Sequence, residues 1–213
     1  KTSMVQSWLH CPSRWCMRCA AAQKVIGRQC DGGDSANSYA TKVQQRRREL
    51  LRETSEEVFR LGDVEVKLVV PSYALDASRC KEAVDLDISE FSDFVWPAEL
   101  ALARVLLERK NLWQSSAICE LGAGLGLAGI MAAAAGAPEV LLTDYDPLTL
   151  ALAVRSAELN SVGTIVSASG VDWTDPTSWP NREYGLVVAA DVLYDTSLTK
   201  ALVDLIVHLG GEA

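Results

Sequence analysis

The sequence predicts an α/β fold with a doubly wound, mostly parallel sheet, preceded by a β-hairpin. Four short apolar runs recur in the second half of the chain, and their first residues lie 23, 24 and 22 residues apart. The runs are Ala117–Leu121, Val140–Thr143, Thr164–Ser169 and Leu186–Val192. Strands that alternate with helices at such an interval form right-handed βαβ units. The runs are apolar on both faces, which is typical of parallel strands covered by helices on both sides.

Helical patterns accompany these runs. Pro97–Leu107 has helical apolar periodicity, and its proline suits the first turn of a helix. Leu127–Ala135 and Pro147–Asn160 lie between the first three runs, and Leu198–Leu209 follows the fourth. We therefore expect one helix before the sheet, two crossover helices and one helix after the fourth strand.

A β-hairpin is predicted ahead of the first helix. Apolar residues alternate through Val58–Leu61 and Val64–Val70, on either side of the turn pair Gly62–Asp63. Residues 41–53 are charged and favour a helix. We expect these two elements to form an N-terminal extension of the sheet domain.

The N-terminal segment differs in composition from the rest of the chain. The first 30 residues hold five basic residues and no acidic one, a composition typical of an organelle transit peptide or a disordered leader. We place the leader at residues 1–40, the extension at 41–93 and the core domain at 94–213. The cytoplasm is the expected compartment, or a plastid or mitochondrion if the leader is a transit peptide.

Four of the six cysteines lie in this leader, at Cys11, Cys16, Cys19 and Cys30. A structural zinc site uses four ligands, usually as two close pairs. Only Cys16 and Cys19 form such a pair, so we expect no metal here. Reduced thiols are expected rather than disulfides, because the sequence shows no secretory pattern.

The charge balance bears on partners. Lys and Arg number 20 against 28 Asp and Glu, which gives a formal net charge of −8. Binding of nucleic acid depends on neutralising phosphates, so an acidic chain is an unfavourable candidate for it. The apolar run 121–137 is short for a bilayer and rich in glycine, and we expect no membrane span. Oligomeric state is not predicted.

A glycine-rich turn, Glu120-Leu-Gly-Ala-Gly-Leu-Gly-Leu127, joins the first strand to a helix. Open α/β sheets bind nucleotides beyond the carboxyl ends of their strands. Gly122 and Gly124 let the backbone turn tightly and approach a ligand. In the dinucleotide pattern G-x-G-x-x-G the third glycine would fall on Leu127, and the Lys-Ser/Thr of a phosphate loop is absent. The turn suits a nucleoside without pyrophosphate, or no ligand at all.

Asp144 ends the second strand, 22 residues after Gly122. A carboxylate there accepts hydrogen bonds from both hydroxyls of a ribose. The alternative is a helix N-cap before Pro147, for which Asp146 is better placed. Trp173 and Trp96 present a similar choice, since each can stack on a ligand or pack in the core.

Together these residues resemble the lysine-methyltransferase branch of the seven-β-strand, S-adenosylmethionine-dependent methyltransferases, the "family 16" or methyltransferase-like 21 group. The resemblance covers roughly residues 94–209. It depends on Val95-Trp96-Pro97-Ala98, Glu120-Leu-Gly-Ala-Gly124, Leu142-Thr-Asp144, Asn160, Val171-Asp-Trp173 and Ala189-Ala-Asp-Val-Leu-Tyr194. The resemblance implies a Rossmann-like fold, S-adenosylmethionine as cofactor, and transfer of a methyl group to a lysine amine of a protein substrate.

The resemblance also implies roles for individual residues. Asp144 would hold the ribose, Trp173 would lie at the adenine, and Glu120 would brace the glycine turn and the methionine end. Asp191 and Tyr194 would line the transfer site and receive the amine. The full set implied to contact the cofactor is Trp96, Glu120, Gly122, Ala123, Gly124, Asp144, Trp173 and Ala190.

Several alternatives stay open from the sequence. The acceptor could instead be a small molecule, a protein Arg or His, or nucleic acid, although Asp191-Val-Leu-Tyr194 lacks the two prolines of the N/D-P-P-Y motif of base methylation. A catalytically inactive module with the same fold is a further alternative. A seven-stranded sheet needs three strands after Leu186–Val192, so we expect the last strands to be missing from this chain.

Overall fold

The structure is a computed structural model that describes residues 45, 49, 52–75 and 91–210. Its strands are β1 Thr54–Leu61, β2 Val64–Pro71, β3 Ile118–Leu121, β4 Val140–Asp144, β5 Val166–Gly170 and β6 Leu186–Ala189. Its helices are α1 Ser72–Leu75, α2 Pro97–Glu108, α3 Leu127–Ala134, α4 Pro147–Leu159 and α5 Thr199–Gly210. Of these residues, 56–70 and 92–210 form one compact unit, which contains the whole parallel sheet, and 52–55 and 71–75 belong to a second.

The parallel sheet has the order β5-β4-β3-β6 among the described residues. β3 pairs in parallel with β4 and with β6, and β4 pairs in parallel with β5. Every strand predicted from the spacing of the apolar runs is present. From β3 the chain adds β4 and then β5 on one side, and it then returns to place β6 on the other side of β3. This reversal of order defines a doubly wound sheet.

Helices cover both faces of this sheet, as predicted. On one face, Leu202 and Leu205 of α5 join a buried cluster with Cys119 and Leu121. Glu120 points to the other face and receives a hydrogen bond from Gly129 of α3. Alternation along β3 therefore sends neighbouring side chains into two separate layers.

The two central strands and the two edge strands differ in burial. All four residues of β3 are buried, whereas all four residues of β6 are half-buried. β6 is the last strand on its side in the part of the chain that the structure describes.

Capping residues set where the helices begin. Asp146 is the N-cap of α4, its carboxylate accepts a hydrogen bond from the N–H of Leu148, and Pro147 occupies the first helical position. In α2, Pro97 likewise occupies the first helical position, directly after Trp96. The predicted N-cap role of Asp146 is confirmed, which leaves Asp144 for another purpose.

The predicted hairpin is confirmed, and α4 holds it. Gly62 adopts a φ of 59°, which the tight turn between β1 and β2 requires. Asn160 accepts a hydrogen bond from the N–H of Lys67 at 2.9 Å and donates one to its carbonyl at 2.7 Å. The hydroxyl of Ser156 accepts the N–H of Val69 at 2.8 Å. Asn160, one of the residues that carried the resemblance, therefore has a structural role.

Some predictions need correction or lie outside the described residues. The fourth strand ends at Ala189 rather than Val192, because Asp191 has a φ of 56° that no strand contains. Of the helix predicted over 41–53, Gln45 and Glu49 are helical and Arg52 is in a turn, and the remaining positions are mostly undescribed. The leader over 1–40 and its four cysteines lie outside the described residues.

None of the helices in the described ranges is long and apolar enough to cross a membrane. No group of three or more His, Cys, Asp or Glu side chains within those ranges is arranged to hold a metal ion.

Candidate functional site

The register of the sheet brings the carboxyl ends of β3, β4 and β6 to one level. Leu121 pairs with Thr143 on one side and with Ala189 on the other. The next residues along the three strands are Gly122, Asp144 and Ala190. These three predicted site residues therefore leave the sheet together, at the edge where open α/β sheets bind ligands.

The glycine turn needs its glycines for conformation and for space. Gly122 has a φ of 63° and Gly124 a φ of 51°, values that L residues rarely adopt. A Cβ on Gly122 would lie 2.8 Å from Cγ1 of Val192 and 3.6 Å from Cζ2 of Trp173. The turn is therefore in contact with the loops that follow β5 and β6.

Asp144 points toward this turn. Its Oδ2 accepts the N–H of Gly124 at 2.8 Å, and its Oδ1 accepts the N–H of Asp146 at 3.0 Å. The side chain is half-buried, so it is not sealed within the core. Burial raises the pKa of Asp144 above its usual value, although the backbone amides of Asp146, Gly124 and Tyr145 act in the opposite direction. This geometry is compatible with the predicted ribose contact.

Glu120 lies beneath the turn. Its side chain is 1% exposed, and its Oε2 accepts the N–H of Gly129 at 2.8 Å. Desolvation raises the pKa of Glu120 to about 8. A carboxyl group buried in this way and bound to the helix that follows the turn can brace the turn, as the resemblance implies.

Sequence reasoning missed a second buried acid, Glu99. It is 6% exposed, and its Oε1 accepts the N–H of Leu127 at 2.6 Å. Burial first, and the nearby carboxylate of Glu120 second, raise the pKa of Glu99 well above its usual value. The signal in the sequence was an acid on the otherwise apolar face of the helix, three residues after Trp96.

Three carboxyl groups thus converge on six consecutive residues. Asp144 accepts from Gly124, Glu99 from Leu127 and Glu120 from Gly129. The N-terminus of a helix after a glycine turn ordinarily offers its free N–H groups to phosphate. Here two of the first three amides of α3 are taken by carboxyl groups, so a pyrophosphate would meet occupied donors and acidic side chains. The site suits a nucleoside that carries positive charge.

The two tryptophans predicted at the site are both half-buried. Trp96 is the residue immediately before α2. Trp173 packs against the buried cluster that includes Leu121, and its ring also lies beside Gly122. Trp173 therefore packs against the core, one of the two alternatives drawn from the sequence, and its ring also contacts the glycine turn.

The two predicted transfer residues lie on the exposed loop after β6. Asp191 is exposed and has a φ of 56°, and Tyr194 is 54% exposed. Ala190 is half-buried just before them. Val192, between the two, contacts the glycine turn and places this loop beside it. A non-glycine residue in the left-handed region is uncommon and is often found at functional sites.

The segment before α2 also reaches the turn, which the sequence did not predict. The carbonyl oxygen of Ser92 would lie 3.3 Å from a Cβ on Gly124. The hydroxyl of Ser92 lies 3.0 Å from that of Thr149 and donates to Asp146 at 3.3 Å. A polar network at the start of α4 therefore fixes the segment that leads to Trp96.

Comparisons with known proteins give consistent findings. A family model described as lysine methyltransferase matches residues 83–212. Mouse methyltransferase-like protein 22 is 37% identical over 136 residues, 54% of this chain and 34% of that protein. The calmodulin-lysine N-methyltransferase of Arabidopsis thaliana is 32% identical over 112 residues, 50% of this chain and 37% of that protein. The chain thus spans about a third of the length of these relatives.

Among solved structures, a ribosomal protein L11 methylase from Lactobacillus delbrueckii subsp. bulgaricus is similar to this chain. It has 26% sequence identity and a TM-score of 0.42, over 55% of this chain and 54% of that one.

Proposed function

Since this chain belongs to the lysine methyltransferase family, whose model matches residues 83–212, we propose that it is an S-adenosylmethionine-dependent methyltransferase that modifies the side-chain amine of a lysine in a protein. Membership of the family confirms the resemblance drawn from the sequence. The observation that carries the proposal is the set of three carboxyl groups bound to the amides of Gly124, Leu127 and Gly129.

This arrangement fits the methyl donor of the family. S-Adenosylmethionine, when bound, supplies an electrophilic methyl group on a positively charged sulfur. It has a ribose diol and no phosphate, which matches a half-buried Asp144 and a helix start whose amides are already occupied. Buried acids are also favourable neighbours for a cation, because a nearby positive charge stabilises their ionised form.

The chain's own residues would divide the binding work. Asp144 would accept hydrogen bonds from the ribose hydroxyls, and Trp173 would lie against the adenine. Glu120 would brace the turn beneath the methionine end. The remaining proposed contacts are Trp96, Gly122, Ala123, Gly124 and Ala190.

Methyl transfer requires an uncharged amine, since a protonated lysine has no lone pair. The usual pKa of lysine is about 10.4, so the acceptor must lose its proton to water or to a neighbouring group before it reacts. Desolvation in the transfer channel lowers that pKa. Asp191 would accept a hydrogen bond from the neutral amine and orient its lone pair, and Tyr194 would form the wall of the channel.

The negative charge at the carboxyl ends of the strands favours a cationic side chain, rather than nucleic acid, as the methyl acceptor. Acidic residues lie at the carboxyl ends of three strands of the sheet: Asp144 and Asp146 at the end of β4, Asp172 and Asp175 after β5, and Asp191 and Asp195 after β6. The connecting segments 122–126, 144–146, 171–178 and 190–198 contain no Lys or Arg. A phosphate backbone would be repelled at this edge, whereas a lysine would be attracted. A protein substrate with a lysine is therefore the proposed partner.

The test is to incubate the chain with S-adenosylmethionine labelled in its methyl group and a protein extract, then hydrolyse the products to amino acids. The expected product is labelled methyl-lysine, which disappears with the Asp191→Ala variant because alanine has no acceptor for the amine. Label recovered in nucleic acid, in methyl-arginine or in methyl-histidine would overturn the proposed acceptor. No label in any fraction would overturn the proposed activity.

A further inference from the structure

Glu99 connects two elements of the proposed cofactor site. It belongs to the first turn of α2, and its N–H donates to the carbonyl of Trp96 at 3.1 Å. Its carboxyl group crosses to a different helix and accepts the N–H of Leu127 at 2.6 Å. One side chain therefore joins the segment of Trp96 to the exit of the glycine turn.

The acceptor for the N–H of Leu127 comes from outside the helix to which Leu127 belongs. The N-cap of α3 is Gly126, which has a φ of 77° and no side chain to accept a hydrogen bond. Leu127 is fully buried, so its N–H lies away from water. A buried amide without a partner is costly. Glu99 supplies the acceptor for the N–H of the first helical residue, which an ordinary N-cap side chain does not serve because it bonds the second or third helical N–H.

Glu99 also completes a clamp on the turn. Glu120, which belongs to β3, accepts a hydrogen bond from the N–H of Gly129. Glu99, which belongs to α2, accepts one from the N–H of Leu127. The turn is thereby held between two buried acids that belong to different elements. A shift of α2 relative to α3 would move Trp96 and the turn apart.

We propose that Glu99 is a positioning residue for the cofactor: by holding Leu127, it fixes the glycine turn at the distance from Trp96 that binding of S-adenosylmethionine requires. This inference rests on the proposed function. Glu99 would act through the backbone of the turn, without touching the cofactor itself.

Three variants test the inference by titration with S-adenosylmethionine. Glu99→Ala removes the acceptor and should weaken binding by about 10- to 100-fold, the size of effect that a small misplacement produces. Glu99→Gln keeps an oxygen for the N–H of Leu127 and should restore the affinity to within about threefold of the parent. Glu108→Ala, at the exposed end of the same helix, should bind like the parent chain.

The stoichiometry of the titration separates positioning from loss of fold. A merely structural defect lowers the fraction of chains that bind and leaves the dissociation constant of the folded chains unchanged. Equal dissociation constants for Glu99→Ala and the parent would overturn the inference, and so would a Gln variant as weak as the Ala variant.

Hydrogen exchange of the peptide 122–130 gives a readout that needs no cofactor. Exchange in this peptide should accelerate in Glu99→Ala and stay at the parental rate in Glu99→Gln and Glu108→Ala. If the parent chain fails to bind S-adenosylmethionine, the proposed function fails, while the exchange rates still decide whether Glu99 holds the turn. Unchanged exchange in Glu99→Ala would overturn the inference in either case.

Discussion

The N–H of Gly124 donates to Oδ2 of Asp144 at 2.8 Å, so the end of β4 is bonded to the middle of the glycine turn that leaves β3. The bond joins the two features on which the cofactor prediction depended. It also orients the carboxylate, because a second amide, that of Asp146, holds the other oxygen at 3.0 Å. Asp144 is therefore fixed before any ligand arrives.

Replacement of Asp144 tests this relationship. Asp144→Ala should weaken binding of S-adenosylmethionine by about 10-fold or more, since hydrogen bonds to a charged acceptor contribute about 1.5–3 kcal/mol. The measurement is the dissociation constant from equilibrium dialysis. Asp172→Ala is the matched control, because Asp172 follows the neighbouring strand and its carboxylate bonds to Thr174 within its own loop. If the two variants bind equally well, the ribose role of Asp144 is wrong.

Substitutions at Gly122 and Gly62 separate the effect of steric contact from the effect of backbone strain. Gly122→Ala and Gly62→Ala both place an L residue at a positive φ, near 60°, and each should lose about 1–2 kcal/mol of unfolding free energy for that reason. Only at Gly122 does the new Cβ meet a neighbour, Cγ1 of Val192 at 2.8 Å. Gly122→Ala should therefore also lose cofactor binding, whereas Gly62→Ala should retain it.

A double variant extends this comparison. Val192→Ala removes the atom that the new methyl group would meet, so Gly122→Ala/Val192→Ala should recover part of the stability that Gly122→Ala loses. Urea denaturation measures it. A double variant whose losses simply add would show that the contact between the turn and the loop after β6 is unimportant.

The proposed transfer residues can be tested without confusing chemistry with folding. Asp191 has a φ of 56°, which Asn accommodates better than most residues. Asp191→Asn removes the negative charge that would attract the lysine, and Tyr194→Phe removes the hydroxyl that would receive the amine. Both variants should thus keep the parental stability and cofactor affinity while transfer falls by at least about 100-fold. Asp191→Ala should in addition lose about 1 kcal/mol of stability. Single-turnover assays and urea midpoints measure the two effects, and parental turnover in both conservative variants would refute the assignment.

Stability should fall as pH rises from about 5 to 8. The pKa of Glu120 is raised by burial to about 8, and that of Glu99 is raised for the same reason. A raised pKa means that the folded chain binds more protons than the unfolded chain, so this stability is complete below the usual pKa of 4.5 and is lost as pH rises through 8. The slope should be on the order of 1 kcal/mol per pH unit.

Variants identify the groups responsible for this pH dependence. Glu120→Gln keeps an acceptor for the N–H of Gly129 and cannot ionise, so its unfolding free energy should vary less between pH 5 and 8. Glu108→Gln, on an exposed position, should follow the parent curve. Denaturation series at four pH values suffice, and identical slopes in all three chains would contradict the assignment.

The sequence predicted the sheet well because period and composition are local properties. Every parallel strand and every helix after residue 96 lies within a few residues of its predicted range. The fourth strand was predicted three residues too long, since apolar residues continue through Val192 while the backbone turns at Asp191. A left-handed φ at a non-glycine residue leaves little trace in composition.

The candidate site was only partly predictable. Glycines and an acid at strand ends are visible in the sequence because each follows an apolar run. Glu99 and Ser92 were missed because each reaches the turn from an element that is distant in sequence, and only tertiary packing shows what they contact. Asn160 contributed to the resemblance without an assigned role, and the structure shows that it holds the hairpin through Lys67.

The most direct test of the account is calorimetric titration of the parent chain with S-adenosylmethionine and, separately, with NAD. The buried carboxyl groups at Leu127 and Gly129 predict one saturable site per chain for S-adenosylmethionine and no saturable heat with NAD at the same concentrations. Saturable binding of NAD, or no binding of either ligand, would contradict it.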